Sequence, residues 1–188
     1  MRDAVELVFE THALTTDNER GIATGWLGGS LSARGRELAA ELGARRREDQ
    51  IDEVLCSDLA RAVETAEIAF GRTATRVTLD WRLRELDYGE LNGAPVDVVA
   101  RERLRHVDVP FPGGESYRGA TARVARLLDE VVRSRSHRRV LLIGHTATRW
   151  ALDHLLDGKP LEEVVVEPFD WREGWEYAAK RPFAGAVG

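Results

Sequence analysis

The chain has 188 residues, 43% of them hydrophobic and 31% charged, the balance of an ordinary globular protein, which argues against a disordered or membrane-spanning chain. A net charge of −5 exerts no global pull on nucleic acid, so an anionic ligand would have to be met by a local cluster of arginines. A lone cysteine, Cys56, excludes an internal disulfide and a cysteine-based zinc site; with no apolar run near the roughly 20 residues of a spanning helix and no signal-peptide pattern at Met1-Arg2-Asp3-Ala4, we expect one cytoplasmic domain over residues 1–188, with neither membrane nor nucleic-acid partners.

The first element is Val5-Glu6-Leu7-Val8-Phe9, an apolar, β-rich run that passes at Glu10-Thr11 into a loop carrying His12, then Thr15, Asn18 and the turn that holds Gly21 and Gly25. It reads as a buried strand delivering a histidine to its C-terminal end, where open α/β sheets bind their ligands. Taken alone, His12 is more simply an ordinary loop or core histidine. After Trp26 comes a turn, and Ser32 is the N-cap of a helix from 33 to about 49 with Leu38 and Leu42 on its apolar face. The run Arg45-Arg46-Arg47 on that helix is read as solvated surface.

Within 51–57, Val54-Leu55-Cys56 is a second buried strand, and Ser57-Asp58 begins a helix with Arg61 in its first turn, aimed at the sheet edge that holds His12. A surface arginine is the alternative. The spacing from Cys56 to Arg61 is one residue short of a cysteine-phosphatase loop, whose glycines are also absent, so Cys56 is read as a small core residue. Residues 76–79 form a third strand leading into 81–93, a segment dense in charge yet laced with Leu83, Leu86, Tyr88 and Leu91. Partial burial there is the setting in which carboxylates become proton donors. Glu85 is the candidate, against simple pairing with Arg82 or Arg84.

Residues 94–112 hold a short helix and a proline-flanked loop, read as a small lid over a fairly open pocket. Gly113-Gly114-Glu115-Ser116 then start a helix to about residue 134, with Val124, Leu127, Leu128 and Val131 facing inward. Glu115 either faces the cleft or stabilises the helix N-terminus. Residues 139–145 are the clearest buried strand, ending in Gly144-His145, and the helix from Thr146 to about 156 places its first N–H groups beside that histidine. In the tail, Val164-Val165-Val166 is β-rich, and Trp171 with Trp175-Glu176-Tyr177 suggests a further strand and wall residues, with fraying beyond Lys180. His106, His137 and His154 read as surface or structural residues.

Two strand-end histidines, a helix-start arginine and a glutamate in a partly buried segment suit phosphoryl transfer. A neutral imidazole at His12 can attack phosphorus and hold the group covalently. Arg61 and a second, protonated histidine at His145 would neutralise the equatorial oxygens, while Glu85 protonates the leaving alcohol and later activates water. The scheme needs no cofactor, and no ligand spacing suggests a metal.

These residues give the chain a resemblance to the histidine phosphatase superfamily, the phosphoglycerate-mutase-like proteins, over essentially its whole length. Thr11-His12-Ala13, Thr15 and Asn18 stand for the family's opening Arg-His-Gly-x-Thr-x-x-Asn, followed by Gly25-Trp26 and Leu31-Ser32-Ala33-Arg34-Gly35. Ser57, Leu59, Arg61, Ala62, Thr65 and Ala66 match its second motif; Leu83, Glu85, Gly89 and Gly93, then residues 112–116 and Gly144-His145, match the rest. The resemblance implies a three-layer α/β/α sandwich with a mostly parallel central sheet and a short cap at about 86–115. It implies His12 as phosphorylated nucleophile, Glu85 as proton donor, and Arg61 and His145 as phosphate ligands, with Thr11, Asn18, Thr24, Gly25, Glu115 and Thr146 as further phosphate or substrate contacts. The chain departs from the pattern at Thr11, where the family has arginine, at Phe9-Glu10, two extra residues ahead of the motif, and at Thr146-Ala147, where the family has two glycines. Losing the arginine predicts a phosphate pocket weakened roughly ten- to a hundredfold unless another cation moves in.

The function expected from this set is a metal-independent phosphomonoester hydrolase, a histidine acid-type phosphatase acting on a small phosphorylated metabolite. A binding or regulatory module that has lost turnover is the alternative, and a phosphoglycerate-type mutase is third, with Arg101, Arg103 and Arg105 the available cap cations. Oligomeric state, a homodimer included, is open.

Overall fold

The computed structural model describes residues 4–134, 138–180 and 183. Its centre is β1 (Val5–Thr11), in which Val5, Leu7, Val8 and Phe9 are all buried. Both faces of this strand are covered, which is why its sequence is a run rather than an alternation. In chain order follow α1 (Thr16–Glu19), β2 (Ile22–Ala23), α2 (Ala33–Arg45), β3 (Glu53–Cys56), α3 (Ala60–Phe70) and β4 (Arg76–Leu79). The second half contains β5 (Ala94–Pro95), α4 (Val96–Glu102), α5 (Tyr117–Ser134), β6 (Arg139–Gly144), α6 (Thr146–Asp157), α7 (Leu161–Val164) and β7 (Trp175–Ala179). Short 3-10 turns lie at Trp81–Leu83, Gly89–Leu91 and Arg103–His106.

The main sheet has the order β4-β3-β6-β1-β7, with β7 antiparallel to β1 and every other pairing parallel. On one face, Val8, Val54, Cys56, Leu141 and Ile143 pack on Leu42 of α2 and on Ala62, Ala66 and Phe70 of α3. On the other, Leu7, Phe9, Leu55, Val140 and Leu142 pack on α5 and α6 through Val124, Leu128 and Leu152. The result is the expected three-layer α/β/α sandwich. Each such fully buried aliphatic or aromatic side chain stabilises the fold by about 1.5–3 kcal/mol. A separate apolar cluster of Leu86, Tyr88, Val99, Val107, Phe111, Tyr117, Trp150 and Val164 seats the α4 region against α5 and α6 as a short cap.

Several expectations shift. The helix α2 stops at Arg45 rather than near 49, and its arginines are not all solvated. Arg46 donates to buried Glu10 at 2.7 and 2.9 Å and Arg45 joins at 3.1 Å, because a carboxylate in a central strand must have its charge met nearby. Arg47 alone is exposed. Phe9 and Glu10 are ordinary strand residues: the parallel register runs unbroken from Glu6 opposite Arg139 to Thr11 opposite Gly144. The stretch Val164-Val165-Val166 is not a strand; α7 ends at Val164, and Val164 and Val165 are buried in the cap cluster. β7 does form, with Trp175 opposite Phe9. His106 stacks on Phe111, His154 meets the Lys159 carbonyl at 2.7 Å, and His137 lies outside the described residues, as does most of the chain beyond Lys180.

Candidate active site

His12 follows β1 directly and its N–H extends the ladder to the Gly144 carbonyl at 2.9 Å. The ring Nδ1 lies 2.7 Å from the Ala13 carbonyl. A carbonyl only accepts, so Nδ1 carries the proton and Nε2 keeps a lone pair. Arg61 Nε donates to that lone pair at 3.3 Å. Burial first, and then the Arg61 charge, pull the His12 pKa down to about 3.

Arg61 is the second residue of α3, not part of a helix that begins at Ser57. The Ser57 hydroxyl instead accepts from the Leu59 N–H at 3.3 Å and meets His145 Nε2 at 2.9 Å. Arg61 Nη2 donates to the Gly25 carbonyl at 2.8 Å and reaches His145 Nδ1 at 3.3 Å. Since a guanidinium can only donate, His145 accepts at Nδ1 and its Nε2–H points to Ser57. The expected protonated His145 is therefore corrected: fully enclosed and beside Arg61, its pKa falls well below the usual histidine value and the ring is neutral. The two imidazoles lie 4.9 Å apart between ring centres. Thr65, one turn after Arg61, accepts from the Ala13 N–H at 3.0 Å and donates to the Arg61 carbonyl at 2.7 Å, which ties the His12 loop to α3.

Glu85 is left unpaired by its basic neighbours, because Arg82 goes to Asp80 and Arg84 to Asp58, each at 2.6 Å. Its Oε1 accepts the N–H groups of Leu86 at 2.8 Å and Ala147 at 3.1 Å, so the first turn of α6 aims the carboxyl. The Glu85 carbonyl is gripped by Trp26 Nε1 at 2.7 Å and Arg123 Nη2 at 2.9 Å. Arg123 is buried beneath the segment and is held by Glu115 through 2.9 and 3.0 Å contacts.

His12, Arg61 and Glu85 line one cavity of about 150 Å³, together with Asn18, Thr24, Gly25 and Thr146 and an apolar wall from the cap. Asn18 caps α1 through Thr15, and Thr24 donates to Asp17 at 3.0 Å. Three expected ligands do not line it. His145 is fully buried outside its wall and is linked to it through Arg61. Glu115 is committed to Arg123 and the Asp87 N–H and does not line the cavity, so it steadies the Glu85 loop. Thr11 lines a neighbouring cavity of about 330 Å³, walled by Leu38, Leu42 and Phe169, which meets the first at His12, Asn18 and Thr146. Residue-level reasoning missed the positioning work of Ser57, Thr65 and Arg123. Ser57 and Thr65 had a signal in the motif match, whereas nothing local marks Arg123, whose partners are distant in sequence.

Gly25 adopts φ +55°, and a Cβ there would lie 1.8 Å from Asn92 Oδ1. Gly25→Ala is expected to cost about 1–3 kcal/mol and to loosen Arg61, read as a lower melting temperature. An unchanged melting temperature would mean that the turn relaxes freely.

The family model described as histidine phosphatase superfamily (branch 1) matches residues 7–169. A Salmonella typhi protein named probable phosphoglycerate mutase GpmB is 33% identical over 138 residues, 69% of this chain and 64% of that protein. The match thus spans less than two thirds of that relative's length. Mycobacterial glucosyl-3-phosphoglycerate phosphatase, solved with VO3, superposes with a TM-score of 0.77 at 31% identity over 88% of both chains. The Bacillus stearothermophilus protein YhfR gives a TM-score of 0.80 at 25% identity, covering 90% of this chain and 88% of that one.

Proposed function

The chain belongs to the histidine phosphatase superfamily, and on that premise we propose that it is a phosphomonoesterase acting on a small phosphorylated metabolite through a phosphohistidine. The observation that carries this reading is the tautomer of His12: Nδ1–H on the Ala13 carbonyl leaves the Nε2 lone pair beside Arg61, in the cavity that also holds Glu85. Nε2 attacks phosphorus as the ester P–O bond breaks, and protonated Glu85 gives its proton to the departing oxygen. The Glu85 carboxylate then takes a proton from water, the hydroxide oxygen bonds to phosphorus, and the P–N bond breaks to return neutral His12 and inorganic phosphate. The scheme assigns nucleophile, proton donor and cation to residues of the chain and routes no step through a metal ion. Solved complexes of the mycobacterial neighbour with VO3 and with inorganic phosphate support a phosphoryl-sized site in this fold.

Hydrolysis is preferred to mutase chemistry because the cap's cations are mostly occupied. Arg101 pairs with Asp97 at 2.6 Å and Arg105 with Glu102 at 2.9 Å, which leaves Arg103 as the cap arginine lining the cavity. Incubation with a panel of phosphate esters in excess EDTA is expected to release inorganic phosphate at the rate seen without chelator. No release from any ester between acidic and neutral pH would replace this reading with that of a binding module.

A further inference from the structure

The cavity around His12 is short of positive charge for a phosphoryl dianion unless the cap supplies some. Among its described lining residues Arg61 and Arg103 are the cations and Glu85 is the acid, while both histidines are held neutral by burial and by Arg61. Arg61 is also heavily committed. Of the five N–H bonds of a guanidinium, it directs Nε to His12 at 3.3 Å, Nη2 to the Gly25 carbonyl at 2.8 Å and to His145 at 3.3 Å, and Nη1 to the Leu27 carbonyl at 3.4 Å. Little of its fork is left for an anion.

Arg103 is the reverse case. It sits on the 3-10 turn after α4, its guanidinium 4.8 Å over the Trp150 ring, with Nη1 donating to the Val165 carbonyl at 3.3 Å and the neutral Tyr117 hydroxyl close by. Its Nε is buried without a hydrogen-bond partner, and among the described residues no carboxylate forms an ion pair with it. Burying such a group is costly unless an anion completes it, and a stacked, planar fork is well suited to two phosphoryl oxygens. We propose that Arg103 is the second phosphoryl ligand of this site, so that the cap, rather than the end of β1 where Thr11 stands, delivers the guanidinium that shares the anion with Arg61. The inference rests on the phosphomonoesterase reading. It makes seating of the cap part of phosphate binding.

Titration of inorganic phosphate into the full chain by calorimetry at fixed salt tests it, comparing wild type with Arg103→Gln, Arg103→Lys and Arg103→Met, the last keeping apolar packing on Trp150 should the glutamine variant fold poorly. The neutral variants are expected to bind phosphate about ten- to a hundredfold more weakly, and lysine, a point charge without the fork, to fall between. Folded neutral variants that bind phosphate within twofold of wild type would overturn the proposal and leave the phosphatase reading standing. Slower hydrolysis confined to esters with an acidic leaving group, at unchanged phosphate affinity, would overturn it too, making Arg103 a reader of the leaving group. A wild-type chain that binds no phosphate at millimolar concentration would sink both.

Discussion

His12→Ala is expected to lower phosphate release by about a thousandfold or more while the chain keeps its fold. The loss is large because the covalent route disappears altogether, and removing the nucleophile of a cooperating set costs nearly as much as removing the set. The fold should survive because His12 is half-buried and its side-chain contacts are local, to the Ala13 carbonyl and to Arg61. The backbone N–H that continues the ladder to Gly144 is retained by alanine. Rapid quench with labelled ester should show label on wild-type protein, stable to base and labile to acid, and none on the variant. Residual turnover within tenfold of wild type would remove His12 from the nucleophile's role.

The second large effect is an acid sensitivity of the fold itself. His12 has its pKa drawn down to about 3 and His145 well below the ordinary value, in both cases first by burial and then by Arg61. In the unfolded chain both would titrate near 6.5. Below that pH the unfolded state binds more protons than the folded one, so stability present at neutral pH falls as the solution is acidified, by about 1.4 kcal/mol per pH unit for each histidine. For His12 the loss between pH 6.5 and 5 is about 1.6 kcal/mol, and His145 adds to it in the same direction, readable as a falling urea midpoint. His145→Gln should flatten this slope, whatever it does to stability at neutral pH. A phosphate dianion favours the charged rings and should oppose the loss. An urea midpoint constant from pH 7 to 5 would contradict neutral burial of the pair. For activity, the corollary is that His12 stays a competent nucleophile far below pH 6, so an acid limb near neutrality would belong to another group or to the ester.

The strands and the residues at their ends were legible from the chain alone. β1 and β6 are uninterrupted apolar runs, and each is followed at once by its histidine. The position of Arg61 in a first helical turn followed from spacing, and Glu85 was favoured as a proton donor over pairing with Arg82 or Arg84; that those arginines go to Asp80 and Asp58 came from the structure. What misled was the local reading of charge. Arg45 and Arg46 look like a solvated run, yet their partner Glu10 lies far back in the sequence on the central strand. Glu115 looks equally suited to a cleft or a helix end, and Arg123, within α5 and eight residues further along the chain, decides the matter by binding it.

The sequence by itself determined the layered α/β fold, the strand ends that carry His12 and His145, and the motif set that brings Arg61 and Glu85 to them. Periodicity and spacing are local properties and suffice for the strands and their ends, while the convergence of Arg61 and Glu85 on them was what the family resemblance implied. Only the tertiary structure decided which charges face the cavity and in what protonation state. Thr11 proved to line the neighbouring space, His145 to be neutral, and Arg103 to line the cavity with its Nε lacking a hydrogen-bond partner. Those outcomes depend on burial and on partners from remote segments, which set the energy of a charge and cannot be read from its neighbours in the chain.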